Sequence, residues 1–153
     1  MTSRDRDDLQ IAIRLANRND IPTVLAIAAQ TPTASHWTPE QYFQVAAQGI
    51  LAVAESPTSL CGFIAAQTLT DVWEIQNVVV VPEFRRKRVA EKLVRDLMQS
   101  ARDKHAARIL LEVRESNLAA RALYEKLGFT VDGTRNGYYK NPREGAIMYS
   151  ASL

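Results

Sequence analysis

Residues 77–90 read N-V-V-V-V-P-E-F-R-R-K-R-V-A, and the rest of the chain is arranged around them. Four successive valines favour a strand that is buried on both faces, and Pro82 marks its end because proline cannot donate to a ladder. After the basic run at 85–88, Val89 opens an apolar repeat at helical spacing that continues to Ala101. The stretch therefore predicts a strand, a tight loop and a helix, with the basic loop at the N-terminus of the helix.

This basic loop is a candidate anion site. The first N–H groups of a helix have no intrahelical partners and carry the positive end of its dipole, so anions are attracted there. Four cations at this place are unfavourable unless something negative binds, and a phosphate is the natural candidate. From charge alone, a solvated basic turn is the alternative. The loop contains neither G-x-x-x-x-G-K-[ST] nor G-x-G-x-x-G, so it is not one of the common nucleotide-binding motifs.

Composition bounds the class of protein. A chain of 153 residues with 46% hydrophobic content suits a single domain, which we expect at residues 10–153 after a disordered tail at 1–9. The net charge of +2 argues against wholesale nucleic-acid binding. Cys61 is the only cysteine, which suits a reducing cytoplasm. We expect no membrane span and no metal, since His36 and His105 lack ligand spacing.

Periodicity and capping residues predict the elements before and after this stretch. A half-buried strand at 10–16 precedes a helix capped by Asp20, and Thr38 with Gln41 forms a capping box for a second helix that Gly49 ends. Strands at about 50–55, 60–69 and 72–81 have such short connections that they predict an antiparallel meander. A strand at 109–113 should return parallel to the last of them, after the helical crossover.

The C-terminal third completes the predicted fold. A short helix begins at Ser116 and Asn117 and runs to Leu127, where Gly128 closes it. The Asn136-Gly137 pair predicts a hairpin turn between strands near 129–135 and 145–151. The order β-α-α-β-β-β-α-β-α-β-β is that of an α/β fold with a mixed, mostly antiparallel central sheet flanked by helices.

Three residues of this region carry candidate chemistry. Glu112 interrupts an apolar strand, where a carboxylate is out of place unless it is paired or used; an ion pair with Arg114 is the plain alternative. Asn117 and Tyr124 lie seven residues apart and, with Ala120 between them, share one helix face. Asn117 could equally be only a helix cap, and Tyr124 only a tyrosine at the edge of the core.

Taken together, three motifs resemble the GNAT N-acetyltransferases. They are the stretch at 77–90, L-E-V-R-E-S-N-L-A-A-R-A-L-Y-E-K-L-G-F at 111–129, and R-N-G-Y-Y at 135–139. The resemblance covers residues 73–149 and is closest to the bacterial RimI-type enzymes, which acetylate the N-terminal alanine of a small-subunit ribosomal protein. The family pattern [QR]-x-x-G-x-[GA] is met by Arg85 and Ala90, whereas Arg88 stands where glycine is expected.

The resemblance implies a GNAT-like fold and acetyl-CoA as cosubstrate. Backbone groups of Val78 and Val80 would hold the pantetheine arm and the acetyl carbonyl, and Asn117 would contact the cofactor. The pyrophosphate would be wrapped by Arg86, Lys87, Arg88, Val89, Ala90 and Glu91.

The resemblance also implies the catalytic pair, with Glu112 as general base and Tyr124 as general acid. Glu74 competes for the role of base, because many relatives place a carboxylate at that point of the preceding strand. A peptide α-amine, with a pKa of about 7.7 to 8.0, is substantially neutral near pH 7.5, so a modest base suffices; a lysine amine costs about 3 to 4 kcal/mol more. A phenol near pKa 10 is a poor proton donor to a thiolate near 8.5, so Tyr124 should act mainly as a hydrogen-bond donor.

The acceptor is predicted less directly. The tail reads Glu144-Gly145-Ala146 where the family usually has Glu-Asp-Ala, which removes a carboxylate near the expected acceptor region. The leading hypothesis is transfer to the N-terminal α-amine of a protein, motivated by the candidate catalytic residues and by the Tyr138-Tyr139 pair. The alternatives are a small-molecule amine as acceptor and, because of Arg88, acyl-CoA binding without turnover.

Overall fold

The computed structural model describes residues 10–153, so the tail predicted at 1–9 lies outside the described residues. Seven strands and four α-helices follow one another there in the predicted order. The strands are β1 (Ala12–Leu15), β2 (Ile50–Glu55), β3 (Leu60–Leu69), β4 (Val72–Val80), β5 (Arg108–Arg114), β6 (Thr130–Lys140) and β7 (Arg143–Ser152). The helices are α1 (Ile21–Ala29), α2 (Pro39–Gln48), α3 (Val89–Asp103) and α4 (Leu118–Lys126), with 3-10 turns at Arg18–Asp20 and Pro82–Phe84.

The chain divides into two compact units. Of the described residues, the first unit contains 10–68 together with 76–97, and the second contains 69–75 together with 98–153. The strand order is β1-β2-β3-β4 in the first unit and β4-β5-β7-β6 in the second, since β4 contributes a half to each. β4 and β5 are parallel, whereas β1–β2, β2–β3, β5–β7 and β6–β7 are antiparallel. The predicted mixed, mostly antiparallel architecture is confirmed; the single domain stays a prediction.

The core of the first unit joins α1 and α2 to strands β2, β3 and β4. Tyr42 of α2 is fully buried at its centre, 5.0 Å from the ring of Trp37 and 5.7 Å from that of Phe63. Burying one such side chain stabilises the fold by about 1.5 to 3 kcal/mol. The loop that carries Trp37 is therefore anchored to the core through α2.

The start of α1 differs from the prediction. Asp20 is not the residue whose side chain caps α1; instead Asn17 caps the preceding 3-10 turn, and the Asn17 N–H donates to the Asp20 carboxylate at 2.7 Å. Arg14 of β1 also donates to Asp20, at 2.8 and 3.0 Å. Because Asp20 is buried, a charged partner satisfies it better than a cap bond alone.

The predicted boundaries of α2 are confirmed. Thr38 and Gln41 form a reciprocal capping box, with the Gln41 N–H donating to Thr38 Oγ1 at 3.2 Å, and Gly49 is the C-cap residue. Gly49 has φ −124°, so it is not there for left-handed backbone. A Cβ at this position would lie 2.4 Å from the carbonyl oxygen of Ala66, so close approach of β3 excludes any side chain.

Strand β4 and helix α3 largely agree with the predictions from their hydrophobic pattern. β4 ends at Val80, one residue before the predicted end, and Pro82 opens a 3-10 turn where a tight loop was predicted. Burial of the valines on both faces is wrong: only Val79 is fully buried, because alternate residues of β4 face away from the core. The apolar stripe of α3 is buried from Val89 to Ala101, as expected.

In the second unit, α4 begins after Asn117 and ends before Gly128, whose φ is +94°. The Phe129 N–H bonds back to the Tyr124 carbonyl at 2.9 Å, which closes the helix as predicted. The predicted hairpin turn is wrong. β6 continues through Asn136-Gly137 to Lys140, and the turn lies at the cis Asn141-Pro142 bond. Gly137, at φ +63°, instead serves a bulge within β6.

Candidate functional site

The basic loop of the first unit has an unusual backbone. Arg86 and Arg88 both have φ +63°, in the left-handed region that normally favours glycine. Arg85, Arg86 and Arg88 are exposed, while the Lys87 ammonium lies 5.1 Å from the centre of the Phe84 ring. Arg88 thus adopts the conformation that the expected glycine would supply, with an arginine side chain.

The first turn of α3 follows this loop directly. The Lys92 N–H donates to the Arg88 carbonyl at 3.0 Å, so the N–H groups of Val89, Ala90 and Glu91 are those at the open end of the helix. The Glu91 carboxylate lies 3.7 Å from Arg95 on the next turn. Because a carboxylate repels a phosphate, the group of Glu91 that can assist an anion is its backbone N–H. A row of N–H groups beside three exposed guanidiniums fits a diphosphate.

The end of β4 is held by an arginine outside the predicted site. Val78 and Val80 are half-buried, and the Val80 carbonyl accepts a hydrogen bond from Arg85 Nε at 3.4 Å. Arg85 thus fastens the basic loop to the strand that precedes it. The family pattern marked this position, but a contact to a main-chain carbonyl has no signal in the sequence.

In the second unit, Glu112 of β5 is half-buried and lies in a cluster of polar groups. Arg135 Nη2 of β6 is 3.4 Å from Glu112 Oε1, and the Tyr138 phenol is close enough to the same carboxylate for its charge to raise the pKa of the phenol. The plain alternative of an ion pair with Arg114 is wrong, since Arg114 binds Glu144 at 3.0 Å. The sequence does not predict Arg135 as a partner of Glu112, or Glu144 as a partner of Arg114. Only the pairing register of β6 and β7 brings these residues close to β5.

The two tyrosines of β6 lie beside this carboxylate. Their rings meet edge to face at 5.1 Å, and the Arg135 guanidinium lies 5.2 Å from the centre of the Tyr138 ring. The charge of Glu112 raises the pKa of Tyr138 above its ordinary value. Burial, and then the same charge, raise the pKa of Tyr139. Both phenols therefore stay protonated at neutral pH and can donate to Glu112 or to a ligand.

Glu74, the competing base, belongs to the same face of the sheet. It pairs with Leu110 across the parallel β4–β5 ladder, and Glu112 lies two residues further along β5. The charge of Glu74 also contributes to the raised pKa of Tyr138. The structure thus brings both candidate carboxylates near Tyr138.

Tyr124 of α4 is only 7% exposed and packs against the rings of Phe129 at 5.6 Å and Tyr149 at 6.2 Å. Burial, with a smaller effect of Tyr139, raises the pKa of Tyr124 to about 12. Asn117 is exposed and caps the helix, with its Oδ1 accepting the Ala120 N–H at 3.2 Å. Asn117 is therefore a helix cap, as the simpler interpretation predicted. Its Nδ2 is the side-chain group that can still donate a hydrogen bond to a ligand.

Gly145, which stands where the family usually has aspartate, lies on the face of the sheet opposite to Glu112. Met148 of β7 pairs with Glu112, so Gly145, three residues earlier, faces the opposite side. A Cβ at Gly145 would lie 3.1 Å from Glu115 Oε2 and 3.2 Å from the Arg135 carbonyl oxygen. Gly145 therefore faces away from Glu112, and the loss of a carboxylate near the acceptor stays a prediction.

Residues 10–153 contain neither a metal-binding cluster nor a membrane-spanning helix. No group of three or more His, Cys, Asp or Glu side chains in this range is placed to hold a metal ion. Over the same range, no helix combines the length and the apolar character needed to cross a membrane.

Comparison with known proteins gives consistent matches. The profile of the Acetyltransferase (GNAT) family matches residues 19–129. A Bacillus subtilis (strain 168) protein, provisionally named a ribosomal protein bS18-alanine N-acetyltransferase, is 32% identical over 140 residues, covering 90% of this chain and 92% of that protein. The crystal structure of the Escherichia coli ribosomal-protein-S18-alanine N-acetyltransferase has a TM-score of 0.84 at 26% identity, with 94% of each chain covered. A GNAT family acetyltransferase from Elizabethkingia anophelis with acetyl-CoA bound has a TM-score of 0.76 at 18% identity, covering 94% and 99% of the two chains.

Proposed function

The chain belongs to the acetyltransferase (GNAT) family and is an acetyl-CoA-dependent N-acetyltransferase, and from this premise we propose that its acceptor is the N-terminal α-amine of a protein. A small-subunit ribosomal protein with an N-terminal alanine is the first acceptor to test, because relatives are named for that substrate. The observation that carries the proposal is the cluster of Glu112, Tyr138 and Tyr139, which offers a carboxylate and two phenols to an amine and the peptide behind it. A cytoplasmic location goes with this acceptor.

The first unit supplies the groups that would hold the cofactor's diphosphate. These are the N–H groups at the start of α3 and the guanidiniums of Arg86 and Arg88, with backbone groups of Val78 and Val80 for the pantetheine arm. When bound, acetyl-CoA supplies an acetyl group activated as a thioester. Asn117 Nδ2 of the second unit is a further donor proposed for the cofactor.

Glu112 is proposed to accept the proton that the acceptor nitrogen loses as the new C–N bond forms. Tyr124 is proposed to donate a hydrogen bond to the sulfur as the C–S bond breaks. Full proton transfer from a phenol with a pKa of about 12 to a thiolate near 8.5 is uphill by about 5 kcal/mol. Tyr124 therefore stabilises the developing charge and leaves the final protonation of the thiolate to solvent.

The α-amine is the acceptor that such a site serves best. With a pKa of about 7.7 to 8.0, the α-amine is already substantially neutral near pH 7.5, so a weak base is sufficient. Deprotonating a lysine ε-amine, with a pKa near 10.4, costs about 3 to 4 kcal/mol more before the amine can attack. This difference in free energy favours peptide N-termini as acceptors.

A turnover assay with acetyl-CoA tests the proposal. The acceptors are an alanine-starting peptide, the same peptide with a blocked N-terminus and one internal lysine, and a panel of small amines. We expect transfer to the free N-terminus and none to the blocked peptide. Activity on small amines alone would assign the enzyme to small-molecule acetylation, and acetyl-CoA binding without transfer to any acceptor would favour a non-catalytic role.

A further inference from the structure

Arg114, at the end of β5, is the centre of a set of contacts that the catalytic assignment does not use. Its Nη1 donates to the carbonyl of Pro142 and to Glu144 Oε1, both at 3.0 Å, and its Nη2 donates to the carbonyl of Asn141 at 3.3 Å. Its guanidinium also lies 4.4 Å from the centre of the Tyr139 ring. One side chain thus holds the β6–β7 turn and a tyrosine of the candidate acceptor cluster.

Glu144 extends these contacts to helix α4. Its second oxygen accepts the Ser116 N–H at 3.1 Å, immediately before Asn117, the helix cap. The Ser116 and Arg114 bonds hold the pKa of Glu144 below its ordinary value, so the residue stays a carboxylate at neutral pH. The Arg114–Glu144 pair therefore ties the end of β5, the start of α4 and the hairpin turn to one another.

This arrangement is not an ordinary solvated ion pair. The Arg114 and Glu144 side chains are only 14% and 16% exposed. Arg114 Nε is buried and, among the described residues, has no hydrogen-bond partner. A buried donor without a hydrogen bond lowers the free energy of unfolding. Placing this guanidinium therefore has a cost in stability. Exposed surface pairs carry no such cost and fix little geometry.

The Tyr139 ring, which Arg114 contacts at 4.4 Å, also meets the ring of Tyr138 at 5.1 Å. The pKa of Tyr139 responds to the charge of Glu112, and that of Tyr124 responds to Tyr139. A shift of the Tyr139 ring would therefore change the surroundings of both. Misplacement by about 1 Å can lower a rate by about a hundredfold.

We propose that Arg114, acting with Glu144 through Tyr139 and the hairpin turn, is the positioning residue that sets the acceptor side of the site. It touches neither the proposed base nor the reacting atoms. Its role rests on the proposed function, because it orients the tyrosines at which the acceptor peptide would bind. Its contacts described above include none of the residues that are proposed to hold the diphosphate.

The test compares Arg114→Gln with Arg14→Gln, a matched control in the first unit. Arg14 also holds two carboxylates, Asp20 at 2.8 Å and Glu55 at 2.6 Å, so both variants lose an arginine that bridges elements. For Arg114→Gln we expect kcat/KM for the acceptor peptide to fall by about 30- to 100-fold, while KM for acetyl-CoA stays within about twofold. The control should lose thermal stability without changing either kinetic constant beyond about twofold.

A second readout does not need turnover. Amide hydrogen exchange of the free protein should become faster at Ser116 and across residues 138–144 in Arg114→Gln, and should stay unchanged there in the Arg14 control. Glu144→Gln, which removes the charge but keeps an acceptor for Ser116, should show a smaller change of the same kind.

The outcomes separate the two proposals. If the wild-type protein transfers to no peptide N-terminus, the proposed function fails, and hydrogen exchange alone then decides whether Arg114 positions the hairpin. If Arg114→Gln weakens acetyl-CoA and acceptor kinetics equally, or leaves exchange of the hairpin unchanged, Arg114 is not a positioning residue.

Discussion

Replacing Arg88 by glycine removes two things at once, a positive charge and a Cβ on left-handed backbone. The φ of +63° places Arg88 in a region that costs a non-glycine residue about 1 to 2 kcal/mol. Glycine removes this cost but loses about 0.4 to 1 kcal/mol by loosening the unfolded chain. The net expectation is that Arg88→Gly stabilises the free protein by about 0.5 to 1 kcal/mol, a rise in Tm of about 1 to 4 °C for a chain of this length.

Cofactor affinity should move in the opposite direction. The exposed guanidinium of Arg88 is within the loop that is proposed to wrap the diphosphate, so its loss should weaken acetyl-CoA binding at low salt. Because this contribution is electrostatic and solvent-exposed, the difference between the two proteins should shrink as ionic strength rises.

Arg88→Ala is the control that separates charge from backbone. It loses the same charge but keeps a Cβ on the left-handed backbone, so it should match Arg88→Gly in salt dependence and fall below it in Tm. Thermal denaturation of the three proteins, and acetyl-CoA titrations at low and high ionic strength, give the comparison. A glycine variant no more stable than the alanine variant would refute the backbone reasoning. Tighter binding by Arg88→Gly than by wild type at every salt concentration would make Arg88 an obstruction, and the non-catalytic hypothesis would gain weight.

Tyr124→Phe should lower kcat by about 10- to 100-fold, the value of one hydrogen bond to developing charge, with little effect on acetyl-CoA binding; the wild-type rate profile should show no basic limb from Tyr124 below about pH 10, since its pKa is about 12. Glu112→Gln should lower kcat and shift the acidic limb of the profile, and if Glu74→Gln did so instead, Glu74 would be the base. Asp20→Asn should destabilise the protein by about 1 to 3 kcal/mol at pH 7, measured by denaturant unfolding. The Arg14 hydrogen bonds hold the pKa of Asp20 below its unfolded value near 3.9, so this difference should be present above about pH 4 and vanish as pH falls through the folded pKa.

The features that the sequence determined by itself are local ones. The capping box of Thr38 and Gln41, the left-handed Gly128 and the buried stripe of α3 each depend on residues within about four positions of one another. The parallel return of β5 is not local, since Val72 pairs with Arg108, but the succession of a strand, a long helix and a strand predicts it.

Some local signals proved ambiguous because two structures can use the same residue. Asn136-Gly137 supplies positive φ, which serves a hairpin turn or a bulge equally well; β6 uses it for a bulge and continues to Lys140. Asp20 could cap a helix, but a buried carboxylate within reach of Arg14 is satisfied by the arginine instead. Packing and charge, rather than propensity, decided both.

The candidate site was predicted residue by residue, while its pairings were decided by the tertiary structure. Arg114 has carboxylates close by in sequence at 112 and 115, yet its partner is Glu144, thirty residues away. The reason is register: β7 places Ala146 opposite Arg114 and Met148 opposite Glu112, so Glu144 comes within reach of the arginine. Register is set by hydrogen bonds between distant segments, and a shift of one residue would turn every one of these side chains to the other face.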